Sequence, residues 1–269
     1  MHSDKYPEPV EALLIILGTF AVLILLSLLY SIFLSPQLSV EQVDKNLRLF
    51  FIFGGTLFLI LPLLYAKIKD FPVQRLFRFH RVPLQVIILS LAAGLTMSIL
   101  GDELDRLTSM LLPIPDWLIN QMQPLRVENR WDWVIIICGA VIIASIAEEG
   151  LFRGFLQVTL EKKGDITRAV LLSAISWTLV HMNIYWSIQI FLMGILLGYL
   201  AWRTNSIVPA VIMHGLNNLL ALLFLNLEWE KTMGWYTRNG HVHPVILFMA
   251  GGLLFWSVRR INQYYQSSE

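Results

Sequence analysis

Two adjacent glutamates, an arginine, two histidines and an asparagine are the residues of this sequence whose types and spacing could do chemistry, because each stands in an apolar run. The segment Ala147-Glu148-Glu149-Gly150-Leu151-Phe152-Arg153-Gly154 follows the uncharged stretch from Trp133 to Ala144. A charge held that far inside an apolar helix costs several kcal/mol unless it is paired or faces water, so it is a functional hypothesis by default. Glu149 and Arg153 are four residues apart, the spacing at which carboxylate and guanidinium meet on one helix face. Glu148 is rotated about 100° from Glu149 at 3.6 residues per turn, and that arginine is not its natural partner. Glu148 is therefore the charge that needs explaining.

The first histidine, His181, ends the apolar stretch Trp177-Thr178-Leu179-Val180-His181, and Trp177 shares its helix face. The second, His214, lies four residues before Asn218, so that one face presents an imidazole beside an amide, with Gly215 leaving room for something to approach. Hydrolysis of a peptide bond inside a membrane needs a base or metal to activate water and donors for the oxyanion. Glu148, His181, His214 and Asn218 can supply both. Glu148, His181 and His214 also form a donor set suited to a divalent metal, zinc by ligand preference, with an open position. A metal-free acid–base site using the same side chains is equally writable. The chain has no His-Glu-x-x-His zinc helix, no Gly-x-Ser-Gly elbow and no pair of intramembrane aspartates.

These residues need a membrane bundle to position them. The chain is 56% hydrophobic and 14% charged, with a mean hydropathy of +0.63, far from a soluble domain. The fold class expected is an all-α polytopic membrane helix bundle of about eight transmembrane helices, at roughly 10–34, 47–66, 83–101, 132–160, 166–183, 185–202, 207–227 and 244–260. The first run is too long, and follows too many acids, to be a signal peptide. Lys and Arg number 12 in the loops on the N-terminal side against 7 on the other, predicting a multi-pass cell-membrane protein with both termini cytoplasmic. The cluster from Lys67 to Arg81 supplies most of that bias. Gly101 to Arg130, with Asp102, Glu103, Asp105 and three prolines, reads as a connector whose Leu107, Met110, Leu111, Leu112, Trp117, Leu118 and Met122 suit a short interfacial helix. Trp131, Trp133, Trp229, Trp235 and Tyr236 fall at helix ends as an aromatic belt. The lone Cys138 excludes a disulfide and reads as a packing residue. A net charge of +1 gives no reason to expect nucleic acid; the partners expected are the lipid bilayer and a peptide or membrane-protein substrate. One membrane domain is expected, with residues 1–131 as N-terminal helices and connector, 132–227 as the core, and 228–269 as the C-terminal helix.

Three motifs give these residues a family resemblance. Glu148-Glu149-Gly150-Leu151-Phe152-Arg153, Trp177-Thr178-Leu179-Val180-His181 and His214-Gly215-Leu216-Asn217-Asn218 resemble, in order and spacing, the Glu-Glu-x-x-x-Arg, Phe-x-x-x-His and His-x-x-x-Asn motifs of the CAAX-protease and bacteriocin-processing family, also called Abi. That family is similar both to type II CAAX prenyl endopeptidases and to lysostaphin resistance protein A. The resemblance covers roughly residues 132–227 and departs at Trp177, which stands where the family has Phe. It implies a multi-helix intramembrane endopeptidase. The residues matching Glu148 and His181 would activate water, and those matching His214 and Asn218 would bind metal or stabilise the oxyanion. Glu149 and Arg153 would shape the site. Eukaryotic members trim prenylated tails, whereas bacterial members process peptides or confer immunity to them. A chain this short in its loops resembles the latter, for which a prenyl group is not expected.

The element positions carry one conflict. At 1.5 Å per residue, His181 lies about 22 Å across from a start near Ile166, whereas His214 would be only about 10 Å deep. Strong tilt, a deeper start to the seventh helix, or a shortened hairpin at Asn183 would bring them together. Two other functions compete with peptide hydrolysis: a transporter with a Glu–His proton relay, and a non-catalytic chaperone or immunity protein binding a peptide in the same cavity. Inverted repeats and paired broken helices would mark the transporter, and neither is visible.

Overall fold

The computed structural model describes residues 5–227 and 234–266; Trp229, Lys231 and the side chain of Lys45 lie outside what is described. Helices α1 (Pro9–Phe33), α2 (Val40–Ile68), α3 (Val73–Leu76), α4 (Leu84–Leu111) and α5 (Asp116–Gln121) come first. A single long helix, α6, follows over Arg130–Lys163 and contains two π-helical turns, Ile137–Ile143 and Gly150–Leu156. Then come α7 (Ile166–Val180), α8 (Ser187–Thr204), α9 (Val208–Asn226), the hairpin strands β1 (Thr237–Arg238) and β2 (His241–Val242), and α10 (Pro244–Gln266). Capping boxes at Glu8, Ser39 and Asn129 open α1, α2 and α6, and the Asp165 carboxylate accepts from the Arg168 N–H at the start of α7. Each supplies an acceptor to N–H groups that the first helical turn leaves free.

Among the described residues, seven helices are long and apolar enough to cross a membrane, and α7 is a shorter apolar helix of 15 residues. The protein is thus an all-α polytopic membrane bundle. Large apolar side chains such as Leu14, Ile68, Leu111 and Phe248 stand exposed on its surface, an arrangement that suits lipid and not water. Within the bundle α4 packs along α9 and α10, α7 along α8, and α2 against the middle of α6. At Gly94 an added Cβ would lie 3.0 Å from the Cα of Met213, so α4 and α9 touch backbone to backbone, the close approach that small residues permit between membrane helices.

Two expectations are corrected. The third span continues through Leu107, Met110 and Leu111 to the end of α4, so these residues form no separate interfacial helix. The first helix breaker is Pro113, and the charges before it are partnered: Asp102 accepts from Arg106 (3.2 Å) and from Tyr236 (2.9 Å), and Glu103 accepts from His241 and from the Val242 N–H. Burial and the neighbouring Asp102 push the Tyr236 phenol above its ordinary range, so it stays a donor. Trp117 and Leu118 fall on the short α5 instead.

The second correction concerns the basic loop from Lys67 to Arg81, which is not wholly a solvent loop. Leu76 and Phe77 are fully buried and Arg78 nearly so. Gly154 lets this segment in, since a Cβ there would meet the Phe77 Cα at 2.8 Å. Arg78 takes a left-handed φ of +52°. Its guanidinium donates to the Arg153 carbonyl (3.1 Å) and to Glu161 (2.5 Å). Burial pulls that guanidinium below its ordinary pKa, and the Glu161 carboxylate opposes the pull. Arg48, on the other side of the charge count, is likewise buried and pairs with Asp132 at 2.7 Å.

Candidate active site

The long helix α6 carries Glu148, Glu149 and Arg153 between and within its π turns. A π turn bonds i to i+5 and often marks a functional site, and here main-chain carbonyls of both turns also accept from outside donors. The Ala140 carbonyl in the first π turn accepts from Asn218 Nδ2 (3.0 Å). In the second, the Phe152 carbonyl accepts from Ser173 Oγ (2.8 Å), and the Arg153 carbonyl from Arg78. Side chains from α9, α7 and the α3–α4 segment are thereby fastened to the helix that holds the carboxylates.

Glu149 and Arg153 are both fully buried and pair at 2.9 Å, as their spacing predicts. The structure adds a second partner, since the same Glu149 oxygen lies 2.9 Å from Nδ1 of His214. Arg153 also donates to the Gly194 carbonyl (3.3 Å), and its guanidinium stacks 4.3 Å from the Trp177 ring centroid. Glu148, with 24% of its side chain exposed, points elsewhere. Its Oε2 accepts a hydrogen bond from the Trp177 indole Nε1 at 2.8 Å. It lies 4.0 Å from Nε2 of His181 and 4.0 Å from Nε2 of His214. His181 Nδ1 is 2.7 Å from the Trp177 carbonyl. A carbonyl or carboxylate oxygen only accepts, so hydrogen-bond partners assign a proton to Nδ1 of both rings and turn both Nε2 atoms toward Glu148.

All six sequence-predicted residues, Glu148, Glu149, Arg153, His181, His214 and Asn218, therefore gather in one place. The depth conflict resolves through the deeper start of α9. The N–H of Ile207 donates to the Arg78 carbonyl (3.2 Å), and Ser206 Oγ to the His80 carbonyl (2.5 Å). Because Arg78 itself reaches Arg153, α9 begins beside the second π turn and not at the outer end of α6. His214 then stands level with Glu149. On the other side, Asn183 Oδ1 caps the short turn by accepting from the N–H groups of Tyr185 and Trp186, and Met182 takes a φ of +45° to reverse the chain.

His181, His214, Asn218 and Trp177 line one cavity of about 360 Å³, whose other walls include Asp102, Asp105, Gln189, Met122, Trp186 and Phe224. With its amide assigned so that the nitrogen faces the acid, Gln189 donates to Asp105 at 2.7 and 2.8 Å. Asn217 also lines the cavity, its carbonyl held by Ser98 Oγ at 3.0 Å. Reading the sequence as a connector from Gly101 onward hid Asp102 and Asp105 from the site. No residue type or spacing marked Arg78, whose role depends on a backbone turn. The indole of Trp177 was legible as a wall to the imidazole but not as a donor to Glu148.

The donor types Glu148, His181 and His214 suit zinc, and the Glu149–His214 contact is the kind that orients a metal-binding imidazole. Their spacing does not. Ligands bonded at about 2.0–2.1 Å in a tetrahedron stand roughly 3.4 Å apart, whereas both Nε2–Oε2 separations here are 4.0 Å. Among the described residues, no group of three His, Cys, Asp or Glu side chains is arranged to hold a metal ion. As arranged, these three do not form a metal centre.

Fold and site together define a polytopic helical bundle with a carboxylate–imidazole cluster whose two histidines line a cavity. Residues 130–220 match the family model described as Type II CAAX prenyl endopeptidase Rce1-like. No curated protein and no solved structure matches the chain.

Proposed function

We propose that the protein is an intramembrane endopeptidase that hydrolyses a peptide bond with water activated by Glu148. The observation that carries this reading is the gap between Glu148 Oε2 and the two imidazole Nε2 atoms, 4.0 Å in each case. That separation is too long for a hydrogen bond, and a water about 2.8 Å from each atom spans it with a geometry near that of its own lone pairs and protons. Glu148 accepts a proton from the water as its oxygen attacks the scissile carbonyl carbon. His181 Nε2, whose lone pair faces the same space, accepts from the water's other proton and fixes its orientation. The C–N bond then breaks, and the proton on Glu148 passes to the leaving amine.

The oxyanion needs donors. His214, held by Glu149 at Nδ1, turns its Nε2 to the same space and is one. In its doubly protonated form it donates from Nδ1 to Glu149 and from Nε2 into the cavity. Asn218 has one amide proton on the Ala140 carbonyl and a second left for the oxyanion. Donors fixed beforehand in a water-poor site are the larger part of such stabilisation. The matched family is described by prenyl endopeptidases; for this chain we propose a peptide or membrane-protein substrate whose backbone enters the cavity, with no step that uses a prenyl group. The proposed orientation places both termini in the cytoplasm.

The test incubates purified protein in detergent with a peptide library, with and without chelator, and reads products by mass spectrometry. Cleavage that survives chelation and falls on the order of a hundredfold or more in Glu148→Gln is the expected result. Binding without cleavage would put the peptide-binding immunity or chaperone reading in its place.

A further inference from the structure

Trp177 occupies the centre of the site, and hydrolysis as derived above gives it no part. Four contacts converge on its fully buried side chain. Its Nε1–H donates to Glu148 Oε2 at 2.8 Å. Its ring meets His181 and His214 edge-on, with centroids 5.0 and 5.2 Å away. The Arg153 guanidinium lies over its face at 4.3 Å. A cation over an indole face draws electron density from the ring, which makes the N–H a stronger donor.

Glu148 has a choice that the indole settles. Its Oε2 stands equally far, 4.0 Å, from two imidazoles. A carboxylate beside a protonated imidazole normally closes to about 2.7–2.9 Å, because the charge-assisted bond is strong. Such closure would remove the space for water. The indole N–H occupies the lone pair of Oε2 that closure would use, and the two edge-on ring contacts hold the imidazoles apart. A phenylalanine ring could keep the second effect but has no N–H for the first.

We propose that Trp177 is a positioning residue that holds Glu148 off both histidines and keeps the water site open, transmitting the charge of the buried Arg153 to the catalytic carboxylate. This rests on the endopeptidase reading for its kinetic consequence but not for the hydrogen bond itself. Trp177→Phe keeps an aromatic ring in the same pocket, so folded yield and thermal midpoint should stay close to wild type. Loss of one bond to a charged group should lower kcat about 10- to 100-fold with KM within about twofold. In a Glu148→Gln background the same substitution should produce no further loss, since Trp177 acts through Glu148.

The deciding measurement is the kcat and KM of wild type, Trp177→Phe, Glu148→Gln and the double variant on one cleavable peptide. It is paired with infrared difference spectra that isolate the Glu148 carboxylate band by subtracting Glu148→Gln. The band should shift in Trp177→Phe. An unshifted band, or a Trp177→Phe enzyme as fast as wild type, overturns the inference while leaving the endopeptidase reading intact. Losses that multiply in the double variant also overturn it, because they make Trp177 merely structural. A shifted band in a protein that cleaves nothing supports the positioning bond and removes the endopeptidase reading instead.

Discussion

Replacing the two adjacent glutamates one at a time should give opposite outcomes, and the structure supplies the size of each. Glu149 is fully buried, and one of its oxygens serves both Arg153 and His214 at 2.9 Å. Glu149→Gln keeps the shape and an acceptor for Arg153, but the fully buried guanidinium loses the counter-charge beside it. Breaking a buried pair from one side costs about 3–5 kcal/mol. At about 2–4 °C per kcal/mol for a chain near this size, the thermal midpoint should fall by roughly 10 °C. Glu148→Gln removes a charge that no guanidinium or imidazole bonds directly, and the new amide oxygen can keep the bond from Trp177. Its midpoint should stay level with wild type or rise, while the cleavage rate per folded molecule drops on the order of a hundredfold or more. Both variants, with Arg153→Ala as a second break of the pair, would be assayed in detergent for thermal unfolding and for peptide cleavage. Equal loss of stability in Glu148→Gln and Glu149→Gln, or an active Glu148→Gln, would falsify the division of labour between them.

Metal analysis of purified wild type, His181→Ala and His214→Ala should find no stoichiometric metal in any of the three; zinc near one per chain that both substitutions abolish would replace the metal-free mechanism. Gly94→Ala should destabilise the bundle by about 1–3 kcal/mol through the α4–α9 contact, whereas Gly252→Ala, with open space around it, should raise or preserve the thermal midpoint. Reporter fusions after Glu269 and within the loop between α9 and β1 should report opposite faces of the membrane, the first cytoplasmic; a shared face would remove the proposed topology.

The helices were legible because a stretch of about 20 apolar residues has one stable form in lipid, and every span except α2, which starts at Val40 against an expected 47, began within a few residues of its expected place. The gathering of Glu148, His181 and His214 was legible from chemistry, since isolated polar groups in apolar helices must find one another or water. What was hidden depended on main-chain geometry. The third span ran on to Leu111 because Asp102 and Glu103 have partners on the hairpin more than 130 residues later, a satisfaction no local pattern displays. Arg78 looked like one more basic loop residue, although a left-handed turn sends it inward and makes it the support on which α9 starts. The second partner of Glu149 was missed for the same reason, because the height of His214 follows from that support.

The carbonyls that the π turns of α6 share with outside donors bear on how this bundle holds together at all. In lipid, burying one apolar side chain against another yields little that a hydrocarbon tail does not already provide. The sites at Ala140, Phe152 and Arg153 instead bind Asn218, Ser173 and Arg78 through acceptors that belong to the main chain and cannot be mutated away. Alignment of the helices that carry the candidate site is thus divided unequally between two kinds of residue. The many lipid-facing Leu, Ile and Phe side chains are interchangeable among apolar types, while three donors set the register of α9, α7 and the inward segment against α6. Engineering this scaffold toward another cavity would therefore begin by leaving those three donors in place and treating nearly every outward-facing position as free.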